Sequence, residues 1–275
     1  MLSQIRIGAF PLTFIQIAVL AVIQGITEFL PVSSSGHLVL TPILLGWEDQ
    51  GVSMDVAVHL GALGAVTLYL WREVWMILSG LAKLLTGSVD QGAKLAGLVL
   101  IASLPVFLAG LILEAYITGG LRVLLLIGWA FIIGGILLYL GDRFGLKIWR
   151  ITHMTVGNAF LIGVAQAFAI IPGASRAGMT ITMSRFLGYE RRDAARFSML
   201  LSIPAIAGAS FLRGIDVIQG GDTDFQIHLL FGAGLAFFAA LLAIKVMMGW
   251  LQRQSFTPFV FYRITLGIII LWMAA

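Results

Sequence analysis

The chain has 275 residues, of which 60% are hydrophobic and only 11% charged, with a mean hydropathy of +1.02. That is a membrane composition, and it excludes a soluble domain of this length, which would need a charged surface. The absence of cysteine excludes disulfide frameworks, thiolate metal sites and cysteine nucleophiles. The formal charge of +4 sits in loops beside apolar runs, so it reads as membrane topology, with no nucleic-acid partner.

The first ten residues, MLSQIRIGAF, lack a small-residue cleavage site after a short apolar core, so the N-terminus is expected to be retained. No polar stretch is long enough for a separate soluble domain, and residues 1–275 read as a single membrane domain. Apolar runs fall at about 8–30, 37–46, 54–71, 95–113, 121–140, 154–171, 178–188, 197–212, 227–250 and 258–275. Two of these, HLVLTPILLG and GMTITMSRFLG, reach only about 15 Å, half a bilayer core. Each follows a longer apolar run through a proline-containing break, at Pro31 and at Pro172-Gly173. They are expected to be re-entrant hairpins, which lipid tolerates only where the broken backbone is buried in protein or lines a cavity.

The basic connection DRFGLKIWR (142–150) and the stretch from Arg185 to Arg196 are expected on the cytoplasmic side. The acidic stretches with Glu48, Asp49 and Asp55, and with Asp216, Asp222 and Asp224, are expected outside, with Arg6 against the charge rule. Three crossings then separate two hairpins that enter from opposite sides, and three more follow. The predicted fold is an all-α polytopic protein of six transmembrane helices and two re-entrant hairpins, arranged as an inverted repeat (about 8–141 and 153–275). At an offset of 142 residues AVIQGITEFLPVSSSGHL aligns on GVAQAFAIIPGASRAGMT, matching Gln24 with Gln166, Ser33 with Ser175 and Gly36 with Gly178. Such an architecture brings the breaks face to face near the midplane.

In the first break Gln24 and Glu28, four apart, share a helix face. Pro31 ends that helix. Ser33, Ser34 and Ser35 are expected to supply cap hydroxyls to the short helix carrying His37, whose N-terminus suits an anion. In the second break Ser175 is the expected cap and Arg176 adds a donor fork that matches phosphate oxygens. A charge at a membrane-helix centre costs about 2.5–3.5 kcal/mol on insertion scales. Glu28 and Arg176 therefore need partners, and they describe a pocket that can hold a phosphate. There, serine or histidine can attack phosphorus, a carboxylate can take the proton or hold a divalent cation, and arginine can stabilise the equatorial oxygens. A buried site of this kind suits a lipid with a phosphorylated head.

The stretch QGITEFLPVSSSGH and the later PGASRAGMT, with MDVAVHLGALGAV, RFSMLLSIPAIAGA and PFVFYRI between and after them, closely resemble the undecaprenyl-pyrophosphate phosphatase family of bacterial inner membranes, the bacitracin-resistance type. The resemblance covers nearly the whole chain. It implies removal of the terminal phosphate of undecaprenyl pyrophosphate, giving the monophosphate carrier for peptidoglycan precursors. It also implies a divalent cation (Mg2+ or Ca2+) and a multi-pass inner-membrane protein whose site faces the periplasm, with membrane lipids around it and a homodimer among the assemblies left open.

Carried over by position, Glu28 is the metal-binding or base carboxylate, assisted by Gln24 as a metal and substrate ligand. Ser34 is the preferred nucleophile, and His37 is its proton-transfer partner or the nucleophile itself. Arg176 grips the pyrophosphate, supported by Ser175 and Thr180, with Ser33 and Ser35 as further substrate contacts. Ala177 stands where the family pattern has a second serine, which is expected to remove a pocket hydroxyl.

Each residue also has a structural explanation. Ser33 and Ser35 can simply cap, His59 can be polar glue in helix packing, Lys245 can snorkel, and Arg185 to Arg196 can set topology. Glu28 and Arg176 resist such readings, because intramembrane charges usually mark function. An acid-phosphatase-like lipid phosphatase is excluded because no KxxxxxxRP precedes Ser35-Gly36-His37 and Thr182 stands where a histidine is required. An intramembrane serine protease is excluded because GASR breaks GxSG. The rival from another class is a transporter or flippase of polyprenyl phosphate, which needs the anion pocket but neither nucleophile nor base.

Overall fold

Helices dominate because long apolar stretches in lipid must satisfy every backbone N–H and C=O internally. The computed structural model describes residues 12–84, 86–120, 123–218 and 223–275, with side chains described outside 113–120, 213–218 and 223–225. Arg6 and Asp222 lie outside the described residues, as do the side chains of Asp216 and Asp224. In chain order the helices are α1 (Phe14–Phe29), α2 (Ser34–Leu45), α3 (Gly51–Tyr69), α4 (Trp71–Leu84), α5 (Gln91–Gly120), α6 (Leu124–Phe144), α7 (Val156–Ala167), α8 (Arg176–Phe186), α9 (Arg191–Ile218), α10 (Thr223–Trp250) and α11 (Thr257–Ala274). Among the described residues no strand forms. The all-α polytopic reading holds: six helices, α3, α5, α6, α9, α10 and α11, are long and apolar enough to cross a membrane.

The two short helices fall at the expected breaks. α1 starts at a capping box, in which the Thr13 hydroxyl accepts from Gln16 N–H and the Gln16 side chain accepts from Thr13 N–H. It stops where Pro31 forces Leu30 into extended backbone (φ −76°, ψ 147°). After a four-residue turn, α2 runs for 12 residues, about 18 Å. The second break repeats the plan: α7 passes through a single 3-10 turn at Phe168–Ile170 before the chain turns at Ile171 to Ser175 and enters the 11-residue α8.

α4 was not among the expected elements. Its 14 residues hold Arg72, Glu73 and Lys83, and of its side chains only Gly80 is buried. Trp71 and Trp75 are exposed, and the helix is anchored by ion pairs of Glu73 with Arg196 and Lys83 with Asp90 (2.8 Å).

α1 packs on α10, α7 on α5, α10 also on α3, and α6 on α11. Small residues permit the close crossings: a Cβ added at Gly61 of α3 would fall on the Ala233 carbonyl of α10, and one at Gly163 of α7 on the Ala102 backbone of α5. The main apolar cluster, including Phe29, Val66, Leu98, Ile181, Phe197 and Ile244, lies among α3, α5, α8, α9 and α10.

Arg185, which the sequence offers as a topology charge, is fully buried. Its guanidinium donates to the end of α6 and the turn beyond it, at Asp142 O (3.3 Å), Gly145 O (3.0 Å) and Leu146 O (3.1 Å), and to Tyr189 O. Asp142 O is one of the carbonyls that a helix end leaves without a partner, and the others belong to the turns beside it. Its counter-charge, Asp142, is also gripped by Arg191 at 2.6 and 2.9 Å and accepts from Phe256 N–H at 3.1 Å. Removing one partner of a buried charge pair costs about 3–5 kcal/mol. Asp142→Asn is therefore expected to lower the thermal midpoint of the solubilised protein clearly, whereas Asp90→Asn, at a partly exposed pair, moves it little. Equal midpoints for the two variants would contradict this.

Candidate active site

The last turn of α1 and the first turns of α2 and α8 converge on one carboxylate. Glu28 Oε1 accepts from Arg176 Nη2 at 2.7 Å. Oε2 accepts from the Ser34 hydroxyl at 2.6 Å and from Gln24 Nε2 at 2.8 Å. Both Gln24 and Glu28 are buried, as their shared helix face predicts. Arg176 reaches across from the second break and is fixed by a further bond from Nη1 to Ser198 O (3.0 Å). Ser34 is half-buried, with its hydroxyl on the carboxylate. A hydroxyl hydrogen-bonded to a carboxylate that is itself held by a guanidinium is an arrangement from which a base could activate a nucleophile.

Each of these first turns follows a serine in an unusual backbone state. Ser33 has φ 73° and Ser175 φ 70°, the positive-φ non-glycine residues among those described. Such geometry is sparsely populated for L-residues and collects at functional sites. The caps are not alike. The Ser175 hydroxyl accepts from Gly178 N–H at 3.0 Å, as expected. Ser33 makes no side-chain cap bond, contrary to expectation. Its hydroxyl instead lies 3.4 Å from that of Ser35. Ser35 is exposed.

His37 lies apart from Ser34 and Glu28. Its Nδ1 sits 2.7 Å from Ser33 O, and because a carbonyl only accepts, Nδ1 carries the proton. Nε2 of the neutral ring then accepts from the Tyr262 hydroxyl at 2.5 Å, with the two rings stacked. Thr180 is fully buried, bonded to Ser198 Oγ (2.7 Å) and to Arg176 O, so it braces the elements that hold Arg176. Ala177 is buried and packs within the main apolar cluster.

Two further residues reach the breaks: His59, which the sequence offers as polar glue, and Arg263, which it does not single out. His59 of α3 donates from Nδ1 to Asp55 O at 2.6 Å and presents Nε2 to Glu28 Oε2 at 3.7 Å. Arg263 of α11 is fully buried, and its guanidinium donates to five carbonyl oxygens, at Pro31 in the first break, Gly173 and Ala174 in the second, and Ala130 and Phe131 in α6. Glycines make room for it: a Cβ at Gly134 or Gly178 would strike the guanidinium. A charge inside an 18-residue apolar helix was the signal that could have found it.

For a divalent cation, Gln24 Oε1 is buried with no hydrogen-bond partner, beside the Glu28 carboxylate. An orphaned hard oxygen next to a carboxylate suits Mg2+ or Ca2+ completed by substrate oxygens and water. Among the described residues no group of three His, Cys, Asp or Glu side chains gathers, so protein ligands would be few.

The helical bundle and this constellation define an integral membrane protein with a buried hydroxyl, carboxylate and guanidinium site at two helix breaks. The chain belongs to the bacitracin resistance protein BacA family, whose pattern it matches over residues 17–269. It is 48% identical over 268 residues to undecaprenyl-diphosphatase 1 of Rhodospirillum rubrum (94% of this chain, 95% of that one). It is 49% identical to the undecaprenyl-diphosphatase of Jannaschia sp. (93% and 96%) and 46% identical to that of Ruegeria pomeroyi (96% and 99%).

Proposed function

We propose that this protein is an undecaprenyl-diphosphatase, which hydrolyses the terminal phosphate of undecaprenyl pyrophosphate and leaves the lipid monophosphate. The observation that carries the reading is the Ser34 hydroxyl held 2.6 Å from a carboxylate that Arg176 clasps from the other break. A carrier that merely translocated a lipid phosphate would need the guanidinium but no such pair.

In this reading Ser34 Oγ attacks the terminal phosphorus. The Oγ–P bond forms, the P–O bond to the bridging oxygen breaks, and the hydroxyl proton passes to Glu28. Glu28 returns that proton to the departing lipid phosphate. The restored carboxylate then takes a proton from the water that attacks the phosphoserine; as the Oγ–P bond breaks, Glu28 gives that proton to Ser34 Oγ, and inorganic phosphate leaves. His59 Nε2, with Nδ1 committed to Asp55 O, can accept or return a proton on the Oε2 side of Glu28. Arg176 neutralises charge on the equatorial oxygens, and Ser175 and Thr180 hold its helix turn in place. Glu28 and Gln24 Oε1 would hold a divalent cation, which supplies charge neutralisation to the diphosphate. His37, tied to Tyr262, positions the first turn of α2.

The helix pairs α1–α2 and α7–α8 act as re-entrant hairpins of an inverted repeat. Two observations support this: the matched positive φ of Ser33 and Ser175 at an offset of 142 residues, and the packing of α1 on α10 mirrored by that of α7 on α5. The catalytic pocket opens to the periplasm, supported by the clustering of basic residues in the connections at the far ends of α6, α8 and α10.

The test is phosphate release from C55 polyprenyl pyrophosphate by purified protein, with and without chelator. Release that stops on chelation supports the enzyme and its cation. No release under any metal, with lipid still bound, would favour the transporter. Arg176→Lys is expected to lower kcat/KM about 10- to 100-fold, the loss of one or two charge-assisted bonds and of the planar fork. Near-unchanged turnover in that variant would contradict the assigned grip.

A further inference from the structure

Beyond the Arg185 end of α8, among the end of α6 and the first turns of α9 and α11, the bundle opens a cavity of about 230 Å³. Three cations, Arg143, Lys147 and Arg191, line it, together with the Ser255 and Thr257 hydroxyls. Asp142 is its one carboxylate, and that charge is spent on Arg185 and Arg191. Arg143 and Lys147 are exposed and form no ion pair among the described residues. The cavity thus carries a surplus of about two positive charges over hydroxyl donors. That is the chemistry of a phosphate site.

The rim adds a second requirement. In the connection that carries both free cations, Phe144, Leu146 and Ile148 are exposed by 70%, 64% and 57%. Nearby, Trp250 ends α10 with its indole N–H donated to Ser255 O at 3.0 Å. A free anion gains nothing from such a rim, whereas a lipid places its phosphate on the cations and its chains along the apolar side chains. The walls are held in place: Trp149 N–H donates to Gly188 O (3.1 Å) and Glu190 N–H to Trp149 O (2.8 Å), so the 142–150 connection is pinned to the turn before α9.

We propose that this cavity binds the phosphodiester headgroup of an anionic phospholipid in the leaflet opposite the catalytic pocket. The inference rests on the six-span reading and not on the chemistry at Ser34. The single negative charge of a phosphodiester matches an open, two-cation site whose other arginine is already paired. A bound headgroup bridges the 142–150 connection to the first turns of α9 and α11, where Arg191 and Thr257 stand.

The test uses the full chain, stripped of lipid in a neutral detergent and titrated with phosphatidylglycerol or phosphatidylcholine, with bound lipid counted by native mass spectrometry. Phosphatidylglycerol is expected to bind at least 5-fold more tightly than phosphatidylcholine and to raise the thermal midpoint. In Arg143→Gln/Lys147→Gln that preference is expected to vanish while basal phosphate release in detergent stays at the wild-type level, which also reports an intact fold. Equal binding of the two lipids, or an unchanged preference in the double variant, would overturn the proposal. Complete competition by millimolar inorganic phosphate would reassign the site to a soluble anion, and preferential capture of polyprenyl monophosphate at equal mole fraction would reassign it to the product.

Discussion

Ser34→Ala is expected to reduce phosphate release by at least on the order of 10³-fold while the protein still binds the diphosphate lipid. The reasoning is geometric. Ser34 donates the shortest bond to Glu28, it is half-buried, and it stands on the first turn of a helix whose N–H groups face the pocket. His37→Ala removes only the bonds to Ser33 O and Tyr262 and is expected to cost far less, by loosening that first turn. Single-turnover release of phosphate from both variants, beside wild type, separates the roles. A His37→Ala variant as dead as Ser34→Ala, with its thermal midpoint unchanged, would move the attacking group to the imidazole.

The largest effect on stability is expected at Arg263. Five carbonyls from three segments share its donors. Leaving a buried acceptor without a partner costs about 1–3 kcal/mol. Several such losses together approach the whole stability of a domain, about 5–15 kcal/mol. Arg263→Leu is therefore expected not to accumulate as a monodisperse folded protein, as read by size-exclusion profile and yield. Arg263→Lys, with a compact ammonium in place of the fork, is expected to fold with a lowered midpoint and to lose turnover because Pro31 O and Gly173 O are no longer held together. A leucine variant with the wild-type profile and midpoint would refute the stapling role.

What could be read from the chain beforehand was local. Pro31, the serine run and the i,i+4 pair Gln24 and Glu28 write their own geometry, because a proline break and a shared helix face need no distant partner. The six spans followed from length and apolarity alone. The contributions of His59 and Arg263 are set by helix packing, which brings α3 to within 3.7 Å of Glu28 and α11 beneath both breaks, and no spacing along the sequence encodes that. The pairing of Arg185 was hidden for a related reason: nothing close to it in the chain points to Asp142, 43 residues upstream, which lies against it. α4 was missed because its apolar residues are diluted by charges and it is too short to cross.

Ser34 and Arg176 stand at the same place in their respective turns, each the first helical residue after a positive-φ serine. One backbone design thus presents two different groups, a hydroxyl from the first break and a hydrogen-bond-donating cation from the second. The chemistry is lopsided although the scaffold beneath it is matched. Exchanging the two residues, Ser34→Arg with Arg176→Ser, would retain both side chains and the geometry that presents them. It would also place the guanidinium on the same short stretch as Glu28 and the hydroxyl on the other break, so under the proposed mechanism the direction of attack depends on which break carries which residue.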